Sequence, residues 1–132
     1  MTYVNFEQSW DSNTLSVSGH AGFSTAGNDI VCAGVSAVTY ALLGWLENNR
    51  NSGIFVSSDV QSGEVLIQAG RTKEADTAFE VALIGLLQIA QSYPDHVEVS
   101  YPNRGWLSGK TVRKEHGNHA KLQAARYRPE TV

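Results

Sequence analysis

Two long segments of this chain have the apolar spacing of helices that are covered on one side only. In residues 30–49 apolar side chains recur at intervals of three and four, and the same spacing returns in residues 72–92. Because a helix turns once in about 3.6 residues, each segment carries one broad apolar stripe. A stripe of that kind must be buried against a second layer of structure.

Five short segments around these helices are typical of strands, because they are β-branched or aromatic and end at turn residues. They are residues 3–7, 14–20, 54–58, 65–69 and 97–101. The first of these segments is joined to the second, and the third to the fourth, by connections of hairpin length. The order β-β-α-β-β-α-β predicts a two-layer α+β domain, with two helices packed on one mainly antiparallel or mixed sheet.

Length and cysteine content limit the class of protein. With 132 residues, 42% of them hydrophobic, we expect a single folded body. The one cysteine excludes an internal disulfide and favours a reducing, cytoplasmic setting. No stretch has the roughly 18 uninterrupted apolar residues of a membrane span, and the first residues lack the basic start and apolar run of a signal peptide. We expect no membrane association.

Charge divides the chain into two parts. Residues 1–102 hold three basic and eleven acidic residues, whereas residues 103–132 hold seven basic and two acidic ones. We therefore expect a domain in residues 1–101 and a basic extension in residues 102–132. The extension is either a solvated end or strap, or, with Trp106 and Tyr127, a weak RNA contact. His116 and His119 lack further ligands at a suitable spacing, so we expect no metal site.

Cys32 and His20 form the clearest candidate for chemistry. Cys32 is near the start of the first helix, and His20 lies twelve residues before it at a strand end. If Asp29 is the N-cap, Cys32 is the third helical residue, where free amides and the helix dipole favour a thiolate. His20 would pair with the sulfur and protonate the leaving group in acyl transfer, and nearby helix amides would hold the oxyanion.

Each of these residues also has a structural interpretation. Cysteine is among the most buried residue types, so Cys32 and His20 are alternatively a core cysteine and a satisfied histidine. Ser36, one turn beyond Cys32, either donates a hydrogen bond near the sulfur or is a small residue at a helix-sheet contact. Asp29 either orients His20 or only caps the helix, and capping is the more common role.

The segment between His20 and Cys32 is a candidate gate. It contains Gly22, Phe23 and Gly27 among other small and polar residues. Such a loop could cover the thiol until substrate displaces it. An ordinary connection from strand to helix explains the same composition.

The segments GHAGF, residues 19–23, and GNDIVCAGVSA, residues 27–37, resemble the ribosomal-processing cysteine protease family of bacteria. The pattern of that family is GHA, a short loop, then G-x-DIVCAAVSA, and the resemblance extends over about residues 1–101. It implies that His20 and Cys32 are a catalytic dyad, and it makes Asp29 and Ser36 supporting residues. It also implies a homodimer and a loop that moves to admit substrate.

The resemblance also implies a substrate. The family removes an N-terminal extension from the large-subunit ribosomal protein numbered twenty-seven, cutting after an aromatic residue, and phage-borne relatives are associated with capsid or scaffold processing. We therefore expect a cysteine endopeptidase with a protein substrate and no cofactor. The extension has no counterpart in the family, which leaves room for a phage substrate. A noncatalytic ribosome- or RNA-binding module and a thiol redox sensor are the remaining alternatives.

Overall fold

A computed structural model describes residues 1–25, 29–50 and 54–102, together with the backbone of two short strands beyond them. The elements of the main body are β1 (Thr2–Gln8), β2 (Ser12–Gly19), α1 (Ile30–Asn48), β3 (Val56–Gln61), β4 (Glu64–Gly70), α2 (Lys73–Ser92) and β5 (Val97–Ser100). Their order is the predicted β-β-α-β-β-α-β.

The five strands form one mixed sheet in the order β3-β4-β2-β1-β5. Neighbouring strands are antiparallel except for β1 and β5, which run parallel. A parallel pair needs a long crossover, and the chain from β2 to α2 supplies it. The predicted class, two helices on a mainly antiparallel or mixed sheet, is confirmed.

One face of the sheet carries the core. Val4 and Phe6 of β1 alternate with exposed residues, as the period of two in a strand requires. The helices cover this face with their own buried residues, and the ring of Phe79 lies 5.8 Å from that of Phe6, measured between centroids. Burial of these apolar side chains is the main source of stability, at about 25 cal/mol per Å². The core fixes the start of α1 relative to the end of β2.

The third strand lies later in the chain than predicted. The sequence favoured residues 54–58, but β3 covers Val56–Gln61. Ile54 is buried and precedes the strand, whereas every residue of β3 after Val56 is exposed. Because β3 is an edge strand with little apolar burial, its hydrophobic pattern does not mark its position.

Within the basic extension, the structure describes the backbone of β6 (Val112–Lys114) and β7 (Ala120–Leu122), which pair antiparallel. Neither strand was predicted from the sequence. Trp106, His116 and His119 lie outside the described residues, as does Tyr127.

Helix α1 is long and apolar enough to cross a membrane by length and composition, with a mean hydropathy of 1.6. One such helix near the N-terminus is weak evidence for a span, because the core helix of a soluble protein meets the same test. Here α1 buries Val31, Val35 and Leu42 within the core of the described body.

A polar network fixes the end of the sheet where β1 turns into β2. Asn13 is fully buried; it accepts a hydrogen bond from Gln8 Nε2 at 2.9 Å and donates to Asp76 Oδ1 at 2.8 Å. Asp76 also accepts from Arg71 Nε at 2.9 Å, and Arg71 Nη1 donates to the Ser9 carbonyl at 2.7 Å. These bonds join the β1-β2 turn to the first turn of α2.

Replacing Asp76 by alanine is expected to lower the free energy of unfolding by about 2 kcal/mol. The change leaves the buried Asn13 amide without its acceptor, and a buried unsatisfied polar group costs about 1–3 kcal/mol. Urea unfolding followed by circular dichroism measures the loss. Asp59→Ala is the matched control, because Asp59 lies on the exposed part of β3. Equal stability of the two variants would contradict this role of the network.

Candidate functional site

His20, Cys32 and Ser36 line the same pocket, which has a volume of about 140 Å³. It lies where the end of β2, the start of α1 and the turn between β3 and β4 meet. Tyr40 and Glu64 are the other titratable side chains that line it. The fold therefore brings together two residues that the sequence separates by a loop and a change of element.

The start of α1 has the predicted form. Asp29 is the N-cap with an extended backbone, and its Oδ1 accepts a hydrogen bond from Cys32 N at 2.9 Å. Cys32 is the third residue of the helix, so its side chain lies in the first turn, at the positive end of the helix dipole. It is partly buried rather than enclosed in the core, which disfavours the interpretation as a core cysteine.

The sulfur of Cys32 accepts a hydrogen bond from the backbone of Ala21. The distance from Ala21 N to Cys32 Sγ is 3.2 Å, and Ala21 itself is buried. This fixed backbone N–H is placed to donate to the sulfur when the sulfur carries negative charge. This donor comes from the residue after His20 and was not foreseen from the sequence.

The helix amides are less available for an oxyanion than expected. Cys32 N donates to the Asp29 side chain, and Ala33 N donates to the Asp29 carbonyl at 3.0 Å. A developing oxyanion at either amide would compete with an existing acceptor. We expected the amides around Cys32 to hold the oxyanion. The amides of Cys32 and Ala33 are not free donors, because each already has an acceptor.

His20 directly follows β2 and its side chain is exposed, which argues against a buried structural histidine. Its ring packs against the backbone of Gly63 in the β3-β4 turn. A Cβ at position 63 would lie 2.9 Å from His20 Nε2, and Gly63 has a φ of +72°, a conformation that favours glycine. The hydrogen bond that the sulfur accepts comes from Ala21 and not from His20, so the ring must approach the sulfur for a proton transfer.

Asp29 caps the helix and also holds the loop before it. Its Oδ2 accepts from Phe23 N at 3.0 Å and from Ser24 N at 3.4 Å. The backbone N–H of Cys32 is the largest influence that holds the pKa of Asp29 below its ordinary value; the N–H groups of Phe23 and Ser24 act in the same direction, and burial opposes them. In the described part of the chain the Asp29 oxygens bind amides, so capping is confirmed as their observed role.

The candidate gate is held by aromatic contacts of Phe23. The ring of Phe23 meets the ring of Tyr93 edge-on at 5.3 Å and that of His96 at 5.4 Å. Gly22 has a φ of +69°, with open space where a Cβ would lie. Gly27 lies outside the described residues. The described part of the loop thus lies against the connection between α2 and β5.

Ser36 is exposed and lines the pocket, so it is not a small residue buried between helix and sheet. Among the residues that the structure describes, no three of His, Cys, Asp and Glu lie close enough together to hold a metal ion. The pocket contains a sulfur with a backbone donor and a nearby imidazole, which are the functional groups that acyl transfer requires.

Two neighbours of this site were not predicted from the sequence. Gly63 falls within the connection of hairpin length between the third and fourth predicted strands, and only its contact with His20 connects it to the pocket. His96 contacts the site through the Ala21 carbonyl across 75 positions of sequence. No local pattern indicates either contact, because both depend on how the sheet brings distant turns together.

Comparison with known proteins identifies the family of this chain. The family model described as cysteine protease Prp matches residues 1–98. The ribosomal processing cysteine protease Prp of Mycoplasma genitalium is 31% identical over 100 residues, which cover 76% of this chain and 95% of that protein. The corresponding protein of Mycoplasma pneumoniae is 34% identical over 84 residues, which cover 63% of this chain and 81% of that protein.

The fold has a counterpart among solved structures. It is similar to an essential ribosomal processing protease Prp from S. aureus, solved in complex with a covalently linked product peptide. The TM-score is 0.70 and the identity 22%, with 77% of this chain and all of that chain covered. This likeness concerns the arrangement of helices and strands.

Replacing Asp29 by asparagine is expected to lower the free energy of unfolding at pH 7. It should also reduce the further decrease of that free energy in acid. The pKa of Asp29 is lowered on folding, so its contribution is complete above the ordinary value of 3.8 and disappears as the pH falls through the lower folded value. Urea unfolding between pH 7 and about pH 2.5 measures this. Asp95→Asn, at an exposed position, is the control. If the free energy of unfolding of Asp29→Asn depends on pH as in the unmodified protein, the Asp29 carboxylate makes no pH-dependent contribution to stability.

Proposed function

The chain belongs to the Prp family of cysteine proteases, and we propose that Cys32 and His20 are its catalytic dyad. The observation that carries this assignment is that both side chains line one pocket, while Ala21 N–H donates to the Cys32 sulfur. Neither residue has the enclosed position expected of a purely structural role. A nucleophile with an adjacent acid and base is sufficient for peptide hydrolysis without a cofactor.

In the first half of the proposed reaction, the Cys32 thiolate attacks the scissile carbonyl carbon and forms a C–S bond. The carbonyl π electrons move to oxygen, then return as the C–N bond breaks. His20, protonated at the start, gives its proton to the departing amine. The product is an acyl-enzyme thioester on Cys32 and a free new N-terminus.

In the second half, neutral His20 takes a proton from water as the water oxygen attacks the thioester carbon. The C–S bond then breaks, the thiolate is restored and the carboxylic product leaves. The exposure of His20 gives water access to its ring. Both halves require the ring to reach the sulfur side of the pocket from its place against Gly63.

Asp29 and Ser36 act as supporting residues in this proposal. Asp29 keeps Cys32 in the first turn of α1 and binds the amides of Phe23 and Ser24. Ser36 presents a hydroxyl to the same pocket, one turn beyond the sulfur. The loop with Gly22, Phe23 and Gly27 is the proposed gate, and its opening would break the ring contacts of Phe23 with Tyr93 and His96.

The substrate we propose is the precursor of large-subunit ribosomal protein twenty-seven, cut after an aromatic residue. Membership of the family and the naming of its Mycoplasma relatives as ribosomal processing proteases support this choice. A phage capsid or scaffold precursor is the second candidate, because residues 102–132 extend beyond the part that matches the family model. A cytoplasmic location fits either substrate.

We also propose that residues 1–101 are the protease domain and that the domain forms a homodimer. Exposed apolar residues on the helices, such as Val81 with 65% of its surface exposed, support an association through that side. The extension, with seven basic and two acidic residues, is proposed as an auxiliary segment that makes weak RNA contacts.

Incubation with the ribosomal precursor is expected to yield one cut, and Cys32→Ser is expected to reduce its rate by about 10³-fold or more. His20→Ala should have an effect of similar size, because the two residues act as one unit. Mass spectrometry of the products identifies the cut bond, and circular dichroism checks the fold. Cys32 is the only cysteine of the chain, so no other thiol can take over its role.

Persistent cleavage by purified Cys32→Ser would overturn the dyad. Cleavage of a phage scaffold precursor alone would move the substrate assignment to the second candidate. Tight, salt-sensitive RNA binding without any cleavage would favour the noncatalytic module. A disulfide-linked pair of chains that forms reversibly on mild oxidation, again without cleavage, would favour the redox sensor.

Gly63→Ala is expected to lower kcat about tenfold or more, because the displaced ring of His20 no longer lies where proton transfer requires it. The new methyl group would meet His20 Nε2 at 2.9 Å, which moves the ring from its place beside the pocket. Because φ is +72° at this position, a modest loss of stability is also expected. Ser62→Ala, in the same turn, is the control. Full activity of Gly63→Ala would show that this contact does not position His20.

A further inference from the structure

His96 is the one histidine of the main body that the proposed reaction does not use. It directly precedes β5, and its Nδ1 lies 2.8 Å from the Ala21 carbonyl oxygen. A carbonyl oxygen only accepts, so Nδ1 carries the hydrogen in this contact. Both the neutral Nδ1–H tautomer and the cation satisfy that requirement.

The backbone of His96 is itself held on two sides. Its N–H donates to the Tyr93 carbonyl at 2.9 Å, and its own carbonyl accepts from Thr2 N at 2.8 Å. The ring is partly buried and meets the ring of Phe23 edge-on. The imidazole is thus a fixed donor that extends from the sheet toward the loop.

Ala21 connects this donor to the sulfur. Its carbonyl accepts from His96, and its N–H donates to Cys32 Sγ at 3.2 Å. The Ala21 N–H shares its peptide plane with the His20 carbonyl, which accepts from the Met1 N-terminus at 2.7 Å. The Ala21 carbonyl lies in the next peptide plane, before Gly22 with its φ of +69°. The hydrogen bond from His96 holds this second plane directly.

We propose that His96 is a positioning residue for the Cys32 nucleophile: by holding the Ala21 carbonyl, it keeps the Ala21 N–H directed at the sulfur. This role rests on the proposed function, since it requires that Cys32 is the nucleophile. It adds a side chain that touches neither substrate nor sulfur and acts through the backbone of one residue. The fixed donor stabilises the thiolate before attack and costs no reorganisation during it.

Two substitutions of His96 distinguish the effect of its N–H donor from the effect of its aromatic ring. His96→Phe keeps an aromatic ring beside Phe23 and lacks the N–H donor. His96→Asn lacks the ring and offers a side-chain N–H close to the place of Nδ1. The first readout is the pH dependence of Cys32 alkylation by iodoacetamide, followed by intact mass; with a single cysteine, each thiol adduct is at Cys32. The second is kcat and KM on the precursor peptide.

His96→Phe is expected to move the midpoint of the alkylation profile upward by about 0.5–1 pH unit, since a donor to the charged sulfur is loosened. We expect kcat to fall about 5- to 10-fold with KM changed less than about twofold. His96→Asn is expected to stay close to the unmodified protein in both readouts. The other titratable groups around Cys32, which are His20, Asp29, Tyr40 and Glu64, are the same in all variants.

An unchanged alkylation midpoint in folded His96→Phe would overturn the proposal. Equal shifts in His96→Phe and His96→Asn would also overturn it, because the effect would then not follow the N–H donor, which only His96→Asn keeps. A shift in His96→Asn alone would assign the effect to the ring contact. If His96→Phe does not fold, His96→Leu takes its place. Alkylation needs no substrate, so its outcome is independent of the protease assignment, which cleavage by Cys32→Ser tests separately.

Discussion

The carboxylate of Asp29 is the interaction on which the candidate site depends. One oxygen caps α1 by accepting a hydrogen bond from Cys32 N. The other accepts from the amides of Phe23 and Ser24. A single side chain therefore sets the helix start and draws the preceding loop against it. Because the sulfur belongs to the residue whose amide is bound, the cap and the position of Cys32 are fixed together.

The rest of the site is assembled across the sheet. The end of β2 provides His20 and the Ala21 amide, the β3-β4 turn provides the smooth surface of Gly63, and the residue before β5 provides His96. These segments meet because β2 lies between β4 and β1, while β1 pairs with β5. The core of the sheet and helices gives this meeting point its rigidity, since close-packed interiors deform little.

Regular elements were predictable where burial is periodic. Both helices and the central strands have one apolar face, and their predicted limits lie within about two residues of the observed ones. The edge strand β3 was misplaced because its residues after Val56 are exposed and carry no apolar alternation. The strands β6 and β7 were missed in a segment whose composition favoured a solvated end.

The sequence by itself determined the order of elements, the cap of α1 by Asp29 and the place of Cys32 in its first turn, because these depend on contacts within a few residues. It also identified the family through two short motifs. Tertiary structure alone decided which donor faces the sulfur, what His20 packs against and which carbonyl His96 holds. These contacts join residues up to 75 positions apart, and their geometry follows from strand order and register, to which no local pattern is sensitive.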